Sequence, residues 1–188
     1  MTSMVGNQSI SISGLLPPCR ESVMIFVDYD NLFRSFRDAL SGMKGAYIDT
    51  GLMKELLADD RFIVDARVYS GFIEGCPISK GLWRMDDAGF NVYLEPVENG
   101  HQKGVDMSMG IDAIECARQK VCDTIVLVTG DGDLAPAVRK IRSYGVKVQV
   151  ASFKGALNDC LSDAANETII LDDLRMVDAC GVREITAY

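Results

Sequence analysis

Apolar residues fall along this chain in two rhythms. Short stretches rich in Val, Ile, Phe, Tyr and Leu read as strands: VMIFVD (Val23 to Asp28), FIVDARVYS (Phe62 to Ser70), NVYLEP (Asn91 to Pro96), TIVLVTG (Thr124 to Gly130) and KVQVASF (Lys147 to Phe153). Between them, apolar positions recur at three- and four-residue spacing. NLFRSFRDAL, TGLMKELLA, ISKGLWRMDDAG, VDMSMGIDAIECARQK, LAPAVRKIRSYG and ALNDCLSDAAN therefore read as helices. Local signals mark their ends. Thr50 is the expected cap of the second helix, and Gly89 stops the third. Pro136 sits in a first turn, where its missing N–H costs nothing, and Gly145 follows that helix. The segment ETIILDDLR closes the domain as a short extended piece.

Strands that alternate with helices, with connections long enough for crossovers, predict an α/β fold. The sheet is mostly parallel, of about five strands, with helices on both faces. The 188 residues suit one domain, read as residues 22–188 after a flexible leader over 1–21. No apolar run reaches the ~20 residues of a membrane span, and the first residues lack the basic start and apolar stretch of a secretory signal. Six cysteines form no C-x-x-C pair, and His101 is the one histidine. That excludes the usual zinc sites and casts the cysteines as small buried hydrophobes. A cytoplasmic location is the expectation.

The chain carries 19 Lys and Arg against 27 Asp and Glu, a net charge of −8. Proteins that hold nucleic acid by counterion release are usually basic, so tight non-specific binding is disfavoured. What matters is where the acids fall. Asp28 ends the first strand, and Asp131 and Asp133 follow the fourth. In open parallel sheets, functional groups gather at the carboxyl ends of strands, and the first and fourth strands commonly meet at the switch point. Asp106 joins them by helical angle. At about 100° per residue it shares a stripe with Gly110, Ala113, Ile114, Ala117 and Val121. Asp112 falls on another side, near Glu115 and Gln119, and is expected to be solvated.

Four carboxylates converging on one edge repel one another, and a divalent cation reverses that penalty. Mg²⁺ or Mn²⁺ prefers hard oxygen ligands, lowers the pKa of bound water and neutralises charge on a phosphoryl oxygen. One ion fits such a set, or two about 3.5–4 Å apart. Asn31, Thr129 and Lys103 are candidates to position a phosphate, with His101 beside Lys103. Gly130 and Gly132 let the backbone turn tightly and approach a ligand.

FVDYDNLF, KGVDMSMGIDAIE and DTIVLVTGDGDLAPAVRKIRSYGVKVQVASF resemble, in order and spacing, the three blocks of the NYN-domain family of PIN-like nucleases. The resemblance runs from about Val23 to about Leu174. It implies a Rossmann-like three-layer fold with an acidic Mg²⁺/Mn²⁺ pocket and ribonuclease activity, with single-stranded RNA as the expected substrate. By position the pocket is Asp28 with Asn31, Asp106 preceded by Lys103 and Gly104, and the pair Asp131 and Asp133. Asp112 also matches a commonly acidic family position. Tyr29 stands where a small residue is frequent, which would narrow the mouth, and Leu134 stands where an aromatic is usual.

Two other readings compete. VDYDN and GDGD resemble motifs of haloacid dehalogenase-like phosphatases. That family wants Thr or Val where this chain has Leu32, and KGVDMSMGID has no counterpart there. The other is an RNA-binding or regulatory module with little chemistry. A substrate approaching so acidic a chain calls for a local basic rim, with Arg34, Arg37, Lys80 and Arg84 as candidates, or for a homodimer groove or partner protein.

Overall fold

The computed structural model describes residues 20–39, 47–97 and 104–172. The strands are β1 (Ser22–Asp28), β2 (Phe62–Phe72), β3 (Asn91–Pro96), β4 (Thr124–Val128), β5 (Lys147–Ser152) and β6 (Glu167–Ile170). The helices are α1 (Tyr29–Ala39), α2 (Thr50–Ala58), α3 (Lys80–Asp87), α4 (Val105–Gln119), α5 (Ala135–Ser143) and α6 (Asp159–Ala164). The strands form one sheet in the order β3-β2-β1-β4-β5-β6, and every neighbouring pair is parallel.

Alternation along β1 builds both halves of the core. Val23, Ile25 and Val27 face a layer holding Leu32 and Phe36 of α1, Met53 and Leu57 of α2, and Leu82 and Met85 of α3. Met24 and Phe26 face the opposite layer, with Met109 and Ala113 of α4, Val138 and Ile141 of α5, and Leu161 of α6. Each such side chain removed from water contributes about 1.5–3 kcal/mol. Because both faces are covered, β4 is buried along its whole length, which is why it reads as an unbroken apolar run.

The winding reverses beside β1. The chain lays β2 and β3 outward on one side, then returns to set β4 on the other, Val23 opposite Thr124 through Val27 opposite Val128. This is a switch point, and its carboxyl edge carries the acids.

Several expectations change in detail. The sheet has six strands rather than about five, since the segment expected to be merely extended pairs with β5 from Gln149–Glu167 to Ser152–Ile170. Thr50 does not cap α2. Asp49 does, accepting from the Leu52 N–H at 3.0 Å, while the Thr50 hydroxyl donates to the Arg84 carbonyl and ties α2 to α3. Cys116 and Cys122 are buried as expected, but Cys76 and Cys160 are exposed. Val121 lies past the end of α4 and is exposed, so it leaves the buried stripe of that helix. No helix among the described residues is long and apolar enough to cross a membrane. Most of the leader expected over 1–21 lies outside the described residues, as does everything after residue 172.

Candidate functional site

The strand register fixes the floor of the site. Phe26 pairs with Leu127 on the α4 face and Val27 with Val128 on the other, so Asp28 and Thr129 emerge together on the α4 face. Asp28 is 5% exposed. Its Oδ1 accepts the Asn31 N–H at 3.0 Å, and the Thr129 hydroxyl makes a long contact of 3.4 Å with its Oδ2. The Thr129 oxygen also accepts the Asp131 N–H at 3.2 Å, and Asp131 Oδ1 accepts the Asp133 N–H at 2.9 Å. Asn31 closes the circuit by accepting the Gly130 N–H at 2.9 Å. The ends of β1 and β4 are thus stitched into one polar frame.

The first turn of α4 brings Asp106 to this frame. Gly110 allows the approach: a Cβ there would lie 3.2 Å from Leu134, the buried residue of the short 3-10 turn after Asp131. Leu134 therefore packs the turn against α4 despite not being aromatic. Burial pushes the Asp28 carboxyl up from 3.8 to about 7; the Asn31 N–H opposes this, and Asp106, then Asp30, add to the rise. Asp106 is raised too, first by burial and then by Asp131 and Asp133, while its hydrogen bond with Asp28 and the charge of Arg34 pull it down. Two carboxyls that share a hydrogen bond share a proton. Both carboxyls are raised, and they take up a proton as a pair rather than as independent acids.

Among the described residues, no three His, Cys, Asp or Glu side chains converge as a ready ligand set. The chemistry nonetheless fits a hard divalent cation. A coupled carboxyl pair, Asp28 buried and Asp106 half-buried, flanked by two further acids is an all-oxygen donor set carrying excess negative charge. Mg²⁺ in particular is commonly bound by one or two carboxylates, with waters and substrate phosphate completing its shell.

Other expected site residues take different places. Thr129 is 1% exposed and its hydroxyl serves Asp28 and Asp131, so it positions the acids and lies beneath any substrate. The Asn31 carbonyl is committed to Gly130, which leaves its amide N–H₂ as the group free to meet a ligand. Asp131, rather than Asp133, caps the turn. Gly130 and Gly132 are small because protein, not ligand, approaches them. A Cβ would fall 2.1 Å from the Ala156 carbonyl oxygen at Gly130 and 2.6 Å from the Asn158 side chain at Gly132. Since the clash at Gly130 is with backbone, Gly130→Ala should lower stability by at least about 1–3 kcal/mol, read by thermal or urea unfolding. Gly75→Ala at an exposed, left-handed turn with open space around it should cost less.

Asp112 does lie away from the four acids, but it is not simply solvated. It accepts from the Tyr69 hydroxyl at 2.7 Å and from Arg67 at 3.4 Å. Arg67 also pairs with Asp65 at 2.7 Å. Tyr29 does not narrow the mouth: it is buried, its ring 4.3 Å from that of Phe33 and its hydroxyl bonded to Ser79 under α3. Of the rim cations, Arg34 lies near enough to act on Asp106, whereas Arg84 rests over the Tyr47 ring. Lys103 and His101 lie outside the described residues. Two acids escaped the sequence reading as organisers of this edge. Asp30 accepts from the Ser70 hydroxyl at 3.0 Å and the Gly71 N–H at 3.3 Å, and Glu95, ending β3, accepts from Ser108 of α4 at 2.7 Å. Both follow the strand-end rule that pointed to Asp28.

A cavity of about 490 Å³ lined by Arg139, Arg142 and Lys147 lies at the other end of the sheet, where β5 begins. Two of these three cations are engaged structurally: Arg142 donates to the Ala164 carbonyl at the end of α6, and Lys147 pairs with Glu167.

The chain is similar to several proteins of unassigned function. The chain is 27% identical over 156 residues to the uncharacterized protein MJ0482 of Methanocaldococcus jannaschii, covering 83% of this chain and 58% of that one. It is 33% identical over 89 residues to the uncharacterized protein y4oD of Sinorhizobium fredii, covering 46% and 42%. It thus spans about half the length of these relatives. The crystal structure of a protein of unknown function, VPA0982 of Vibrio parahaemolyticus, superposes with a TM-score of 0.71 at 27% identity, over 84% of this chain and 97% of that one. The NYN domain matches residues 22–172, from the first residue of β1 to just past β6, so the chain belongs to the NYN-domain family of the PIN-like nuclease superfamily.

Proposed function

We propose that this protein is a metal-dependent ribonuclease that hydrolyses phosphodiester bonds in single-stranded RNA. The observation that carries the reading is the pairing of buried Asp28 with half-buried Asp106 at the switch point, with Asp131 and Asp133 close enough to raise Asp106. Asp28, Asp106, Asp131 and Asp133 would hold Mg²⁺ or Mn²⁺. When bound, such a cation supplies charge neutralisation at the phosphoryl oxygens and makes a water more acidic.

The remaining work falls to the chain. With a cation bound, the charged forms of Asp28 and Asp106 would be favoured, so the pair would hold the cation as carboxylates. Thr129 and the Asn31 N–H hold Asp28 in a fixed rotamer, and the capped turn fixes Asp131. The Asn31 amide N–H₂ is placed to donate to a phosphate oxygen, with Lys103 as a further donor. Arg34 offers a cation beside the acids. NYN membership favours this reading over a haloacid dehalogenase-like phosphatase.

The test is purified protein with Mn²⁺ or Mg²⁺, or with chelator, against single- and double-stranded RNA and DNA oligomers. Cleavage of single-stranded RNA that stops in chelator is the expected result. Cleavage that persists in chelator would overturn the metal assignment, and equal cleavage of DNA would overturn the substrate.

A further inference from the structure

Over the carboxyl edge from the acids, on the α3 face of the sheet, two cavities of about 200 Å³ each share the walls Ile78, Leu82 and Leu94. One reaches Trp83 and the other reaches Asp30 and the Ser70–Gly71 backbone. Exposed large apolar side chains concentrate along this groove: Phe72, Ile73, Ile78 and Trp83 are 37%, 55%, 43% and 56% exposed. A contiguous apolar strip bordered by polar groups marks a binding surface.

Its position says what binds. Only Tyr29 separates Asp30 from Asp28, and the charge of Asp30 is felt at Asp28. The groove therefore begins where a phosphate held at the acidic edge would present its neighbouring nucleoside. Its shape of apolar walls with a polar end matches a nucleobase, which has apolar faces and a hydrogen-bonding rim. Single-stranded RNA is read by this combination of packing on base faces and bonding to base edges.

The polar end also selects. Asp30 Oδ2 is occupied by Ser70 and Gly71, and Oδ1 has no partner among the described residues. A carboxyl oxygen in that position accepts a hydrogen bond. Adenine, cytosine and guanine each offer it an exocyclic amine. Uracil offers one N–H flanked by two carbonyl oxygens, which the carboxylate repels.

We propose that this groove is a subsite for one unpaired base of the RNA strand cut at the acidic edge, and that it prefers amino-bearing bases to uracil. The proposal rests on the ribonuclease reading above.

Trp83 is the single tryptophan of the chain and lines the groove, so its fluorescence reports occupancy directly. Wild-type protein in chelator is titrated with GMP, AMP, CMP and UMP. The first three should change Trp83 emission, with UMP roughly tenfold weaker. Asp30→Asn, whose amide donates as well as accepts, should shrink that gap. Ile78→Glu changes an exposed wall residue; it should abolish the signal for every nucleotide without moving the thermal midpoint.

Equal affinity for UMP, or binding that survives Ile78→Glu, would overturn the proposal. So would a dimer that Ile78→Glu dissociates while nucleotides leave Trp83 unaffected, since the groove would then be an interface between copies. RNA cleavage without any nucleotide signal would remove the subsite and leave the ribonuclease reading standing. Selective nucleotide binding without cleavage in Mn²⁺ would support the pocket and remove the nuclease.

Discussion

In Mn²⁺, under single-turnover conditions, Asp28→Asn and Asp106→Asn should each cut single-stranded RNA roughly 10²–10³-fold more slowly than wild type. RNA binding should change far less. Asparagine at 28 still offers an oxygen to the Asn31 N–H, so the end of β1 keeps its shape and what is lost is the negative charge. The control is Asp112→Asn. Asp112 lies on the same helix, but its partners are Tyr69 and Arg67 on β2. Its replacement should leave the cleavage rate near wild type and lower stability by about 1 kcal/mol, as a charged partner of two donors is neutralised. Equal rate losses at 28, 106 and 112 would mean that the β2 side of α4 belongs to the chemistry.

The second expected result needs no substrate. In chelator, the melting midpoint of the wild type should fall as pH rises from about 4 to about 8. Asp28 titrates near 7 in the folded protein against 3.8 as its ordinary value. A raised carboxyl means that the folded state keeps its proton after the unfolded state has lost it. The associated stability is fully present below 3.8 and is lost as pH passes through about 7. Asp28→Asn should flatten this slope.

Metal then acts in the opposite direction. At about 100 times Kd, binding adds roughly 2.7 kcal/mol, and each kcal/mol moves the midpoint of a domain this size by roughly 2–4 °C. Mn²⁺ should thus raise the wild type by several degrees above pH 7, and far less near pH 4, where Asp28 keeps its proton. Asp131→Asn separates ligand from cap. Its amide oxygen can still accept the Asp133 N–H, so in chelator it should melt at least as high as wild type, with a smaller gain from Mn²⁺. Asp131→Ala removes the cap as well and should melt lower in chelator. A chelated wild type whose midpoint ignores pH between 4 and 8 would show that Asp28 is not the buried, proton-sharing group described above.

Strand-end acids were legible in the sequence because a parallel sheet gathers them at one edge, and Asp106 was legible because helical angle is simple arithmetic. What escaped was anything set by a neighbour distant in sequence. Thr129 resembles a ligand-facing hydroxyl until Asp28, a hundred residues earlier, is placed against it. Gly130 and Gly132 resemble a ligand loop until Ala156 and Asn158 are found pressing on them. Asp49 and Thr50 are both good caps, and only the Arg84 carbonyl decides which is free for the task. β6 was undercounted for the same reason: four residues make a strand only when β5 lies beside them.

The pairing of β1 with β4 also governs when the acidic edge is assembled. Val23 and Thr124 are partners across a hundred residues of chain, and no hairpin brings them together. Long-range parallel pairing is slow, since loop closure must precede its reward. A growing chain that has not yet supplied β4 and the turn after it has Asp28 and Asp106 but lacks Thr129, which contacts Asp28, and the acids Asp131 and Asp133. The four-acid edge is therefore complete only once the second half of the sheet is synthesised and docked. On the ribonuclease reading proposed above, a chain interrupted before Asp131 would be unable to cut RNA, its own message included.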